Sequence, residues 1–110
     1  MRYHIKKGGE YTFNLLGYTK EEFLNRMKET LPREYTWEDF LIDSKAFHID
    51  HIIPQKFYLN EEEYVNKCWN LRNLRLIPAK ENLSRLNKIN IKLIKEYGIK
   101  DLLPSSSNPV

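Results

Sequence analysis

Asp50 and His51 stand side by side in the segment Phe47-His48-Ile49-Asp50-His51-Ile52-Ile53-Pro54, and Asn73 and Asn82 follow, nine residues apart. A carboxylate is a ligand for hard cations, and an imidazole with a pKa near ~6.5 accepts a proton at neutral pH. A side-chain amide offers an oxygen acceptor at one end and two N–H donors at the other. These residue types together suit hydrolysis, where a water has to be deprotonated and developing negative charge relieved. Singly, each has a structural alternative. Asp50 reads equally as an exposed strand-end carboxylate, His51 as a hydrogen-bonded core histidine, Asn82 as a helix-surface amide and Asn73 as a turn cap.

The elements that would position them follow from spacing. Phe47-His48-Ile49-Asp50 alternates apolar and polar residues, as a half-buried strand does. The alternation fails at His51, and a bend or bulge there would let Asp50 and His51 approach one site. A second strand is expected over Asn73-Leu74-Arg75-Leu76-Ile77, with Pro78 ending it and suited to the first turn of the next helix. In that helix Ala79, Leu83, Leu86, Ile89, Leu93 and Tyr97 form one apolar stripe, and Gly98 is the expected C-cap. Asn82, Arg85, Lys88, Lys92 and Lys95 form a second, basic stripe. A break near Asn87 to Asn90 would interrupt both.

Upstream, Thr19 and Glu22 form a capping box ahead of Leu24, Met27 and Leu31, and Pro32 stops that helix. Thr36 with Asp39 caps a shorter helix carrying Trp37, Phe40 and Leu41. Asn60 caps a third, with Glu61, Glu62 and Glu63 at its positive end and Tyr64, Val65, Cys68 and Trp69 on its buried side.

The chain has 110 residues, enough for one domain. Its 41% hydrophobic and 30% charged residues are a globular balance. No apolar run reaches the ~20 residues of a membrane span, and nothing near Met1 resembles a secretory leader. The lone cysteine, Cys68, excludes an intramolecular disulfide and a CxxC knuckle and reads as buried packing, so a cytoplasmic setting is expected. Charge is uneven. Residues 1–70 carry 10 Lys+Arg against 12 Asp+Glu, whereas residues 71–100 carry 8 against 2. Such a basic segment is either a polyanion footprint or a solvated helix face. The end, Pro104-Ser105-Ser106-Ser107-Asn108-Pro109, reads as disordered, so residues 1–100 form the expected domain and 101–110 a tail.

The Asp50-His51 pair on a strand, Asn73 opening a second strand and Asn82 on the following helix resemble the HNH nuclease motif. The spacing of Asn73 and Asn82 resembles the variant whose third position is Asn, found in some phage homing endonucleases and RNA-guided effector nucleases. The stretches Leu15-Leu16-Gly17-Tyr18 and Tyr35-Thr36-Trp37-Glu38-Asp39-Phe40 are similar to the region preceding the motif in small phage nucleases. The likeness covers roughly residues 15 to 90.

The resemblance implies an α+β domain with a ββα-metal core, of the HNH or His-Me finger type, over residues 46–90, with flanking helices. It implies an endonuclease that hydrolyses DNA phosphodiesters and leaves a 5′-phosphate and a 3′-hydroxyl. Asp50 and Asn82 would be metal ligands, His51 the general base, and Asn73 the residue tying the inter-strand loop. His48 would be a third ligand, a supporting donor or a phosphate contact. A carboxylate and an amide oxygen fit Mg²⁺, with Mn²⁺ or another divalent ion as a substitute. Arg85, Lys88, Lys92 and Lys95, with Arg72 and Arg75, would contact DNA. The alternatives are a non-catalytic nucleic-acid-binding module on the same scaffold, or a nuclease for RNA or branched DNA. Both monomer and homodimer are compatible with one metal site per chain.

Overall fold

The capping residues act as their spacing requires. In the computed structural model, which describes residues 10–84 and 88–105, Thr19 starts helix α2 (Lys20–Thr30). Its hydroxyl accepts from the Glu22 N–H while the Glu22 carboxylate accepts from the Thr19 N–H. Thr36 and Asp39 repeat the device at α3 (Trp37–Ile42). A helix the spacing did not announce, α1 (Glu10–Leu16), precedes them and ends at Gly17, whose φ of 85° suits a residue without a Cβ.

Strand β1 (Phe47–His51) pairs antiparallel with β2 (Leu74–Pro78), in register from Phe47 opposite Pro78 to His51 opposite Leu74. Between them lie a turn at Gln55–Phe57, the short helix α4 (Glu61–Glu63) and a π-helical turn, Tyr64–Cys68. Asn60 caps α4 by accepting from the Glu63 N–H. Helix α5 (Ala79–Ser84) follows β2 directly. Asn90 then caps α6 (Ile91–Tyr97), which ends at Gly98 in the left-handed conformation, φ 63°. The fold is α+β.

Two apolar clusters hold these elements together. Met27, Phe47, Leu74 and Leu76 form one, where α2 covers the sheet with Phe23, Leu31, Trp37 and Phe40 around it. Ile52, Ile53, Tyr58, Tyr64, Cys68, Ile94, Ile99 and Leu102 form the other, where the inter-strand loop meets α6. Trp69 packs against both. Cys68 is fully buried, and that burial pushes its thiol up to about 12, so it is inert packing.

Several expectations need correction. The ladder runs unbroken through His51, and the chain bends only at Ile52–Ile53, so no bulge interrupts β1. β2 begins at Leu74 because Asn73 ends a 3-10 turn, Leu71–Asn73, while Pro78 ends the strand as expected and stands immediately before α5. The final helix is interrupted ahead of α6, as the expected break requires, and consists of α5 and α6. The interruption takes Lys88 out of the helix, and Leu83, expected on the buried stripe, is 77% exposed. Leu86 and Arg85 lie outside the described residues. The expected tail is packed as far as Ser105. Leu102 and Pro104 are buried, the Tyr58 hydroxyl donates to the Leu102 carbonyl at 2.6 Å, and Glu63 accepts from the Ser105 N–H and hydroxyl. Buried polar groups with partners hold that segment down. No helix among the described residues is long and apolar enough to cross a membrane.

Candidate functional site

Strand alternation divides the sheet into two faces. His48, Asp50, Arg75 and Ile77 share one, and α5 packs over both strands. Phe47, Ile49, His51, Leu74 and Leu76 share the other, against which α2 lies at its β2 side. The burial order along β1 is therefore not the simple alternation its sequence suggests. Asp50 is 5% exposed, whereas Ile49, beyond the cover of α2, is 42% exposed.

On the α5 face the side chains form two pairs. Asp50 Oδ2 accepts from Arg75 Nε at 2.7 Å, a cross-strand ion pair between residues opposite each other in the register. Burial opposes charge on Arg75, but the hydrogen bond and charge of Asp50, with Tyr97 behind, outweigh it and hold the guanidinium above its ordinary pKa. The Arg75 guanidinium also lies 5.9 Å from the centre of the Tyr97 ring. Beside this pair, Asn82 Nδ2 meets His48 Nδ1 at 3.0 Å, so the first turns of α5 reach back across 34 residues to β1. An amide that engages His48 through its N–H end has its oxygen left as the donor atom for a cation.

Asn73 is fully buried and works on the loop. Its Oδ1 accepts from the Ile53 N–H at 2.8 Å, and its Nδ2 donates to the carbonyls of Ile53 at 3.2 Å and Cys68 at 2.9 Å. Its own carbonyl accepts from the Ile52 N–H at 2.9 Å. One amide thus joins both ends of the inter-strand loop, and every polar atom it carries is used.

His51, the last residue of β1, has its own surroundings. Gln55 Nε2 lies 3.4 Å from its Nδ1, and the Trp69 ring meets it edge to face, centroids 4.5 Å apart at 84°. The Tyr64 hydroxyl donates to Gln55 Oε1 at 2.9 Å. Spacing gave Gln55 no role and Tyr64 only a packing one. The only cue was Gln55 itself, four residues after His51 and directly behind Pro54.

The basic residues fare unequally. Lys88, Lys92 and Lys95 are exposed, with Lys92 and Lys95 on α6. Arg72 is exposed but engaged, its guanidinium donating to both carboxylate oxygens of Asp101 at 2.9 and 2.8 Å and to the Gly98 carbonyl at 2.8 Å. Arg75 is 9% exposed and committed to Asp50. Among the described residues no three His, Cys, Asp or Glu side chains converge as a metal cluster. The expected donor set, one carboxylate and one amide, has a different composition from such a cluster, and its two members lie on the same side of the sheet.

No family model matches the chain, and no solved structure does. Over 99 residues it is 31% identical to an uncharacterized protein of Acanthamoeba polyphaga mimivirus, a match covering 86% of this chain and 42% of that protein. The chain thus spans less than half the length of this curated relative.

Proposed function

We propose that this chain is a metal-dependent endonuclease of the HNH type, with a ββα-metal core, that hydrolyses phosphodiester bonds of DNA. The observation that carries the reading is the return of α5 to β1. The helix that follows β2 sets Asn82 against His48, two residues from Asp50 on the same strand face. Asp50 and Asn82 would hold one Mg²⁺ through a carboxylate and an amide oxygen, and His48 would hold the Asn82 amide in orientation. When bound, the cation supplies positive charge to the scissile phosphate and the leaving oxygen.

The chain's own residues do the rest. Asp50 and His51 leave the end of β1 on opposite faces, and in this reading the scissile phosphate would span that strand end. His51 takes a proton from the attacking water, the water oxygen bonds to phosphorus, and the P–O3′ bond breaks. O3′ leaves with a proton from solvent, giving a 3′-hydroxyl and a 5′-phosphate. Lys88, Lys92 and Lys95 lie beyond the site, where they hold flanking phosphates.

A supercoiled plasmid incubated with the protein and Mg²⁺, with and without EDTA, tests this. The expected result is nicked circles that EDTA abolishes, and a loss of about 10²–10⁴ in rate for His51→Ala. Cleavage by His51→Ala at the wild-type rate would remove the general base. Binding without any turnover would leave a nucleic-acid-binding module, and labelled RNA and branched DNA run in parallel would show a different substrate.

A further inference from the structure

His51 is held by two residues from one unusual turn. The Trp69 N–H donates to the Tyr64 carbonyl at 3.2 Å, closing an i→i+5 turn over the π-helical segment Tyr64–Cys68. At 3.6 residues per turn, residues five apart lie about 140° apart around a helix. The wider turn brings them towards one flank instead, and single π turns of this kind recur at functional sites. Here that flank faces His51. Trp69 meets the imidazole directly, and Tyr64 reaches it through Gln55.

An amide has distinct ends. With the Tyr64 hydroxyl donating to Oε1, the Nε2 end of Gln55 is the one presented to His51 Nδ1. An N–H set against a ring nitrogen favours a lone pair there, and the proton of the neutral ring then resides on Nε2. Nε2 is buried, whereas the contact of Nδ1 with Gln55 lies on the exposed side of the ring. At 3.4 Å the amide N–H is close enough to bias the tautomer, and it has to yield the single Nδ1 lone pair when the attacking water donates there.

We propose that Gln55, oriented by Tyr64, is a positioning residue for His51, keeping the ring's lone pair on Nδ1, where the attacking water approaches. The consequence for rate rests on the nuclease reading, whereas the tautomer does not.

Nuclear magnetic resonance of the full chain labelled with ¹⁵N-histidine separates the two. His51 is assigned by the loss of its signals in His51→Gln, and the spectra are taken in mildly alkaline solution. The neutral wild-type ring is expected with its proton on Nε2. Gln55→Leu and Tyr64→Phe are expected to give tautomer mixtures. In Gln55→Glu the new side chain only accepts, so the proton should move to Nδ1. Gln55 is exposed, so its replacements leave the core intact, and Tyr64→Phe keeps the buried ring and removes only the hydroxyl. Nicking by Gln55→Glu should fall about 10–100-fold in kcat, with KM for DNA little changed. A wild-type ring protonated on Nδ1, or an unmoved tautomer in Gln55→Glu, overturns the proposal. If the tautomers respond as expected but wild type cuts no DNA, the nuclease reading fails alone.

Discussion

Arg75 Nε lies 2.7 Å from Asp50 Oδ2, across one rung of the β1–β2 ladder, and both side chains are almost wholly buried. An expected metal ligand is thus already neutralised by a cation from its own sheet. Removing one partner of a buried pair typically costs about 3–5 kcal/mol, since the other charge is stranded. Arg75→Met should lose stability on that scale without divalent ions, and Mg²⁺ should restore more of the thermal midpoint in the variant than in wild type. Scanning calorimetry with Mg²⁺ or EDTA reads both. A midpoint equally insensitive to Mg²⁺ in the two proteins would place the cation away from Asp50.

Asn73→Ala removes three side-chain hydrogen bonds and leaves the Ile53 N–H and the Ile53 and Cys68 carbonyls buried. Each such group costs about 1–3 kcal/mol, so a loss above about 3 kcal/mol is expected in urea unfolding. Asn73→Asp should not rescue it, since two of the three bonds need the amide N–H. A loss no larger than that of a surface substitution would mean the loop is held by its apolar residues alone.

At the proposed metal site, Asn82→His should keep part of the activity and shift ion preference towards Mn²⁺, Ni²⁺ or Zn²⁺, because imidazole nitrogen suits softer ions. Turnover across a metal series is the measurement. An unchanged ion profile would show that Asn82 does not touch the cation.

Lys88, Lys92 and Lys95 are exposed on the segment leading into and along α6. Replacing all three with Gln should weaken duplex DNA binding and flatten its log-salt slope by up to about 2.7. Cleavage of bound DNA should change much less. Binding equal to wild type at low and moderate salt would show that the lysines form a solvated surface only.

Glu63 ties the C-terminal segment to α4. Hydrogen bonds from the Ser105 hydroxyl and N–H, then Lys67, lower its pKa from 4.5 to about 2. A carboxylate depressed in the folded state stabilises fully above its unfolded pKa, and that contribution fades as pH falls towards the folded value. Stability should therefore decline between about pH 4.5 and about 2 more steeply in wild type than in Glu63→Gln. Urea midpoints over that range check the sign, and parallel curves would mean the tether carries no linkage.

What the chain determined by itself was short in reach. Thr19 with Glu22, Thr36 with Asp39, Asn60 with Glu63 and Gly98 after Tyr97 are caps completed within one turn, so a few neighbouring residues suffice to specify them. The two strands were legible for the same reason, from alternation and β-branched or aromatic residues, to within one position at β2. Tertiary structure decided which polar residues meet. Asp50 and Arg75 are 25 residues apart, and His48 and Asn82 are 34 apart, and only the strand register and the path of α5 bring them together. It also inverted the burial of Ile49 and Asp50, since which face is covered depends on where α2 and α5 end. It turned Tyr64 and Trp69 towards His51 through an i→i+5 turn. Periodicity reports how a segment coils. It does not report what lies opposite, because that energy is shared with residues tens of positions away.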